Sequence, residues 1–498
     1  MARSAWSALG PIVEAAGARL MGQGRSVFPR RAVIKGSAAA GAAGVLGGFA
    51  GPASGAPDFH EGDDAFAALR RLVDSTPLVD THEHLIEEKG RLTGKSERIK
   101  ADDWSFLVGH YLDSDMLTCG MPRSDHETFF SPETDPLRKW ELLEPYWPRI
   151  RHTGYAQAVE IAAKRLYGVE RLCRETIGRV QDGYRKAVKP GMYEMVLREV
   201  AGIESCQVNS LEVPFSESPQ PALLMQDISI LGLHMGPDLD AYATRPGIEV
   251  HDLSDWHRVI DWWFETYGPF AVAVKSQAAY SRNIDFEDVP PEDVEDVFRK
   301  VLSKDVVTPA DEKRLQDHLF WYCTRRATEH DLPVKVHTGY YAGDNHMPLG
   351  RLLGNADAAS GLCRTAPDTR FVFMHINYPF YEDLIAVAKH YTNCYVDMCW
   401  AWILSPVAAN RFLKQYLVTA PANKVLTFGG DYIPVEPVVG HAALARRGIT
   451  AALAGLVDEG WLDREGALAL VDPIMRGNAR TLFNLEAKTA ALQRAPWL

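Results

Sequence analysis

The chain has 498 residues, 46% of them hydrophobic and 24% charged, with a formal net charge of −12. This balance suits a globular protein with a large core and excludes wholesale disorder. The acidic surplus argues against nucleic acid as a partner and, with no nucleic-acid motif present, leaves a small-molecule substrate as the expected one.

Residues 1–56 read as a targeting segment. Arg30 and Arg31 open "RRAVIKG", the weakly apolar run "SAAAGAAGVLGGFA" follows, and the small residues Ser54 and Ala56 suit a peptidase. The segment resembles a twin-arginine export signal, which implies a periplasmic or otherwise extracytoplasmic mature chain over 57–498. The apolar run is too short and too rich in Gly and Ala to span a bilayer well, so no stable membrane insertion is expected once it is removed; a retained anchor is the alternative. Seven dispersed cysteines with no C-x-x-C do not make a disulfide framework, which suits folding before export.

"DDAFAALRRLVDSTP" predicts a helix stopped by Pro77, and "LVDTHEHL" over 78–85 a strand. Side chains alternate along a strand, so Asp80, His82 and His84 share one face while Glu83 takes the other and is read as structural. Two imidazoles on one face can chelate an ion; an edge strand with two surface histidines is the alternative. Residues 86 to about 195 are helical in pattern and rich in Trp and Tyr, an expected insertion after strand 1. From about 196, the runs "IESCQVN", "PFAVAVK", "LPVKVHTG", "RFVFMHI", "NCYVDMC" and "KVLTFGG" alternate with helical stretches, which predicts parallel β/α units. Their spacing favours a single (β/α)8 TIM barrel, with a doubly wound sheet as the rival.

In a barrel the C-terminal strand ends converge on one mouth. Here "VDTHEH", "AVAVK", "VKVH", "FVFMH" and "LTFGGD" bring His82, His84, Lys275, His337, His375 and Asp431 to such ends. Four histidines and an aspartate suit a divalent transition ion, zinc first, with manganese or iron as alternatives. Asp431 is the natural general base, and Gly429 and Gly430 let backbone approach closely beside it.

These residues resemble the amidohydrolase superfamily, whose pattern is H-x-H on strand 1, often Lys on strand 4, His on strands 5 and 6, and Asp on strand 8. The resemblance implies that His82, His84, Lys275, His337, His375 and Asp431 hold one or two metal ions. A closer likeness is to the amidohydrolase-related group that includes the barrel half of fungal fluG and nodulin-type fusions with glutamine synthetase, through "VAVKSQAAYSR", "VKVHTGYYAGDN", "NCYVDMCWA" and "GNARTLFNLE". It runs from about Pro77 to Leu485. The chain departs from that group in its export signal, its lack of a glutamine synthetase domain, and a loose match over 86–195. Lys275 has two readings: a carbamate bridging two ions, or a free ammonium contacting substrate.

Arg282, seven residues beyond Lys275, is a candidate for a bidentate contact to a substrate carboxylate, and His346 in "YYAGDNHMPLG" for the substrate site. A solvated arginine and a surface-loop histidine are the plain alternatives. Trp400 and Trp402 form either an apolar wall of the mouth or core. The expected activity is metal-dependent hydrolysis of a C–N or C–O bond in a small amide, lactone or ester. Asp431 moves the proton, and His375 or Lys275 holds the oxyanion. The rivals are a decarboxylase or uronate-isomerase-like enzyme on the same site, and a non-catalytic binding protein with a structural metal. A homo-oligomer is left open.

Overall fold

The first described helix, α1 (Asp64–Ser75), is followed by Pro77 and then β1 (Leu78–Glu83), a strand buried along its whole length. The computed structural model describes residues 64–498 apart from 97, 237–241 and 344–346. The expected export signal with Arg30 and Arg31, and His346, lie outside the described residues.

Between β1 and β2 (Ile203–Val208) the described secondary structure is helical, as the insertion reading expects, and includes α2 (Gly154–Tyr167). β3 (Leu224–Gln226) and β4 (Ile228–Ser229) follow, then β5 (Val274–Ser276), β6 (Val334–Val336), β7 (Phe371–Phe373), β8 (Cys394–Asp397) and β9 (Val425–Leu426). Every pairing is parallel, in the orders β1-β2-β3 and β4 through β9. Only Asp227 separates β3 from β4; β3 pairs with β2 and β4 with β5, so the two act as a single barrel stave shared by two sheets.

The ring closes between the chain after β9 and β1. Thr81 N–H donates to Phe428 O at 3.0 Å, Asp431 N–H to His82 O at 2.8 Å, and His84 N–H to Tyr432 O at 3.0 Å. A doubly wound sheet would leave both edges open; this one has none at that seam, and the fold is an α/β barrel.

Outside the ring lie α3 (Leu253–Tyr267), α4 (Pro309–Glu329) and α5 (Glu436–Asp458). Asp252 caps α3 by accepting from Asp255 N–H at 2.9 Å, and Thr308 caps α4 by accepting from Asp311 N–H at 3.1 Å. α5 packs directly on the insertion, because a Cβ on Gly440 would sit 1.8 Å from Ala158 O of α2. Buried Arg91, itself in the insertion, donates to Glu436 of α5 at 2.7 Å. The insertion is therefore an integral wall of the barrel.

Inside the ring, beneath the mouth, the Lys335 ammonium donates to both Asp227 oxygens (2.8 and 3.0 Å) and to Thr81 O (2.7 Å), all fully enclosed. All seven cysteines are free. Among the described residues no helix is long and apolar enough to cross a membrane.

Candidate metal centre

His82 and His84 leave β1 on the same side, and their Nε2 atoms face each other at 3.3 Å. The Asp431 Oδ1 atom lies 3.3 Å from His82 Nε2 and 3.4 Å from His84 Nε2. The three atoms make a nearly equilateral triangle. Edges of about 3.3 Å are what a tetrahedral ion with bonds of about 2.0–2.1 Å imposes on its ligands.

The hydrogen bonds fix which nitrogens are bare. His84 Nδ1 sits 2.9 Å from the Asn209 carbonyl oxygen, which can only accept, so Nδ1 carries the hydrogen and Nε2 offers a lone pair. His375 Nδ1 likewise donates to Cys399 O at 3.0 Å, and its Nε2 is buried with no hydrogen-bond partner. On His82 the nitrogen turned to the triangle is Nε2, while Nδ1 faces the Asp227 carboxylate at 4.0 Å with no hydrogen bond to fix the tautomer. Burial holds His82, His84, His337 and His375 well below the usual imidazole range, reinforced by nearby positive charge or a neighbouring histidine. Neutral imidazoles, two of them with Nε2 within 3.4 Å of a carboxylate oxygen, are the donor set of a divalent transition ion, and the residues present fit one.

Asp431 stands where β9 runs into the loop. Its backbone is left-handed (φ 62°), as are His375, Ile376, Asn377 and Trp400 around the same mouth, with φ of 61°, 50°, 55° and 66°. None of the five is glycine, and each such residue costs about 1–2 kcal/mol. Strain of this kind persists where packing over-determines it, and it gathers at functional sites. The clamp around Asp431 is visible. Tyr111 O–H donates to Asp431 O at 2.6 Å, Glu83 accepts from Tyr432 N–H at 2.6 Å, and Asp80 accepts from Gly430 N–H at 3.1 Å. A Cβ on Gly430 would strike the Glu83 carboxyl at 1.9 Å, so the close approach read from the two glycines is real. Glu83 serves the backbone, as its strand parity suggested. Burial pushes the Asp431 carboxyl up to about 7, against the opposing pull of Lys275.

Lys275, the middle residue of β5, reaches the same mouth, with Nζ 3.4 Å from His82 Nε2 and 2.8 Å from Met374 Sδ. Burial lowers its amine to about 8. His337 lies beside His375, ring centroids 4.4 Å apart, but its Nε2 donates to Tyr340 O at 3.0 Å and it joins neither triad of converging donors. Arg282 does not present a fork to the mouth. It donates to Asp317 at 2.5 Å and to Gln316 at 3.2 Å, both on α4, and lies over Phe286 at 4.5 Å. That internal clamp stands in place of the expected substrate contact.

Of the two tryptophans, Trp400 is the wall, its ring 5.4 Å from His375, while Trp402 is core and donates to Thr427 O at 2.8 Å. Tyr111 and Tyr155 of the insertion stack near Trp400 at 5.0 and 6.4 Å. Sequence reasoning missed these two tyrosines, since nothing local in a helical insertion says which ring reaches the mouth. It also missed the Lys335–Asp227 pair. Parity gives a signal there, because Lys335 lies two residues before His337 on the same strand face.

The fold and the converging donors together define a parallel α/β barrel with a candidate His/Asp metal centre at the C-terminal mouth. Residues 271–485 match the family profile described as "Amidohydrolase", which bears out the resemblance to that superfamily. A curated relative, protein fluG of Emericella nidulans, is 25% identical over 229 residues, 44% of this chain. The match spans only 26% of the length of that relative. Among solved structures, a uronate isomerase from Thermotoga maritima superposes with a TM-score of 0.68 at 15% identity, covering 84% of this chain and 97% of its own. A glucuronate isomerase from Caulobacter crescentus gives 0.68 at 18%, covering 86% and 97%. At these identities the structural likeness speaks to the fold.

Proposed function

We propose that this protein is a metal-dependent hydrolase that splits a C–N or C–O bond in a small amide, lactone or ester. The observation that carries the reading is the His82–His84–Asp431 triangle, with edges of 3.3, 3.3 and 3.4 Å. His82, His84 and Asp431 would hold the ion, with His375 and Lys275 beside them. When bound, a zinc-type ion supplies polarisation of a carbonyl and a water acidified to about pKa 7.

The remaining work falls to the chain. Asp431 takes a proton from the attacking water at Oδ2, the oxygen turned toward His375. It returns that proton to the leaving nitrogen or oxygen as the new C–O bond forms and the old C–N or C–O bond breaks. Lys275, as an ammonium, donates to the developing oxyanion. The Glu83, Asp80 and Tyr111 contacts hold Asp431 in place, so no reorganisation is needed at the moment of proton transfer. The wall of Trp400, Tyr111 and Tyr155 keeps bulk water off the reacting carbonyl.

The test is to purify the full chain, measure bound metal, strip it with a chelator, and screen small amides, lactones and esters for release of ammonia, amine or acid. Hydrolysis that vanishes on stripping and returns with zinc, manganese or iron is expected. Release of carbon dioxide, or interconversion of aldehyde and keto sugar acids, without hydrolysis would move the protein to the rival chemistries. A tightly held, non-exchanging ion with no turnover would mark a binding protein.

A further inference from the structure

His84 and His375 each fix a ring hydrogen on a backbone carbonyl, Asn209 O and Cys399 O. His82 has no such bond. Its Nδ1 is buried without a hydrogen-bond partner and faces Asp227 Oδ2 at 4.0 Å, both side chains being fully enclosed. Asp227 lies at the joint between β3 and β4, where its N–H donates to Val208 O at 2.9 Å, so the stave itself carries the carboxylate inward.

Three observations give that carboxylate a task at the metal centre. The first is the direction of the imidazole: Nε2 is the atom turned to His84 Nε2 and Asp431 Oδ1, at 3.3 Å from each. A histidine that ligates through Nε2 carries its hydrogen on Nδ1, and a buried N–H requires an acceptor. The second is the mount. Lys335 donates to both Asp227 oxygens and to the carbonyl of Thr81, the residue before His82, so one ammonium sets both the acid and the strand that presents the ring. The third is what the backbone already does. His82 N–H donates to Asp80 at 3.2 Å and His82 O accepts from Asp431 N–H at 2.8 Å, which leaves the rotation of the ring as the freedom still to be fixed.

We propose that Asp227 is a positioning residue of the metal centre: it accepts the Nδ1 hydrogen of His82 and so holds Nε2 toward the ion, with Lys335 keeping the carboxylate in place. The assignment rests on the metal-dependent reading and deepens it. At 4.0 Å the two groups are in electrostatic contact and short of a hydrogen bond, which zinc loading completes by committing Nε2. An anion behind the ring also strengthens it as a donor, so His82 holds the ion more tightly than a histidine resting on a neutral carbonyl.

Zinc affinity is measured on the full chain by competition with a chromophoric chelator, beside denaturant unfolding of the metal-free protein. Asp227→Leu with Lys335→Met removes acid and cation together, so no buried charge is stranded. About 10–100-fold weaker zinc binding is expected, with unfolding close to that of the parent. A role in packing alone would shift the unfolding and leave the affinity. Should the double variant not fold, a crystal structure of the unsubstituted, zinc-loaded chain reads the same contact: an Asp227 oxygen is expected about 2.7–3.2 Å from His82 Nδ1. A folded double variant that binds zinc as tightly as the parent, or a loaded structure in which Nδ1 meets another acceptor or none, overturns the role of Asp227 and leaves the metal-dependent hydrolase standing. A parent chain that binds neither zinc, nor manganese, nor iron overturns both.

Discussion

Removing the ammonium beneath the mouth tests whether the barrel interior is held by charge. Lys335→Met fills similar volume but strips three hydrogen bonds, to the two Asp227 oxygens and to Thr81 O. Both partners of the ion pair are fully enclosed, so Asp227 is left as an uncompensated buried carboxylate. Breaking a buried pair from one side costs about 3–5 kcal/mol, and the orphaned carbonyl belongs to the same loss. Chemical denaturation of the full chain at pH 8 is the assay. The pH dependence carries a sign. Burial raises the Asp227 carboxyl and Lys335 lowers it, so the substitution drives it further up. A carboxyl whose folded pKa is raised gives stability that is present at low pH and lost as pH rises through that pKa. The deficit of Lys335→Met is therefore largest at pH 8 and shrinks on acidification as Asp227 takes up a proton. Lys335→Met with Asp227→Leu should recover most of the loss. A single variant within about 1 kcal/mol of the parent at pH 8, or a deficit that grows in acid, would refute the reasoning.

His82→Ala is expected to lose bound metal and activity together while staying folded, whereas His337→Ala, which lies outside the converging donor sets, should lose less metal; metal content and circular dichroism read both. Asp431→Asn should retain most of the ion through its amide oxygen while turnover falls by at least about a hundredfold, the scale of a lost general base. Lys275→Ala separates its two readings. Loss of an ion, with a mass increment of carbon dioxide on the parent lysine, indicates the carbamate, and unchanged metal content indicates the ammonium. Gly430→Ala must expel the Glu83 carboxyl from Tyr432 N–H, so a loss of about 2–3 kcal/mol in denaturant unfolding is expected. Arg30→Lys with Arg31→Lys should hold the chain inside the cell at precursor size; normal export of that variant would remove the twin-arginine reading.

Most of the barrel was legible because its strands are short apolar runs whose last residue carries the chemistry. β1, β2 and β6 to β9 fall inside runs read as strands, and β5 runs one residue past "PFAVAVK", to Ser276. The stave of β3 and β4 was not legible. "LMQDIS" alternates poorly, because Gln226 and Asp227 are buried polar groups, and the lysine that compensates Asp227 lies more than a hundred residues away. Periodicity reports water on one face and oil on the other, and it fails where the interior itself is polar. At the candidate site, parity and strand ends picked out His82, His84, Lys275, His375 and Asp431, which the fold brings to one mouth. They could not tell that His337 would spend a nitrogen on Tyr340, or that Arg282 would meet Asp317 on α4. Those are choices of side-chain partner, made only after the helices dock.

The five left-handed residues at the mouth bear on how this protein will respond to selection. At about 1–2 kcal/mol for a residue such as Ile376 the strain looks like stability in reserve, but Ile376 is buried in the core, and glycine there would lose its packing together with the strain. Lys304, also left-handed but exposed, carries no such cost. A library screened for heat resistance alone should therefore gain at positions of that kind and leave the mouth as it is.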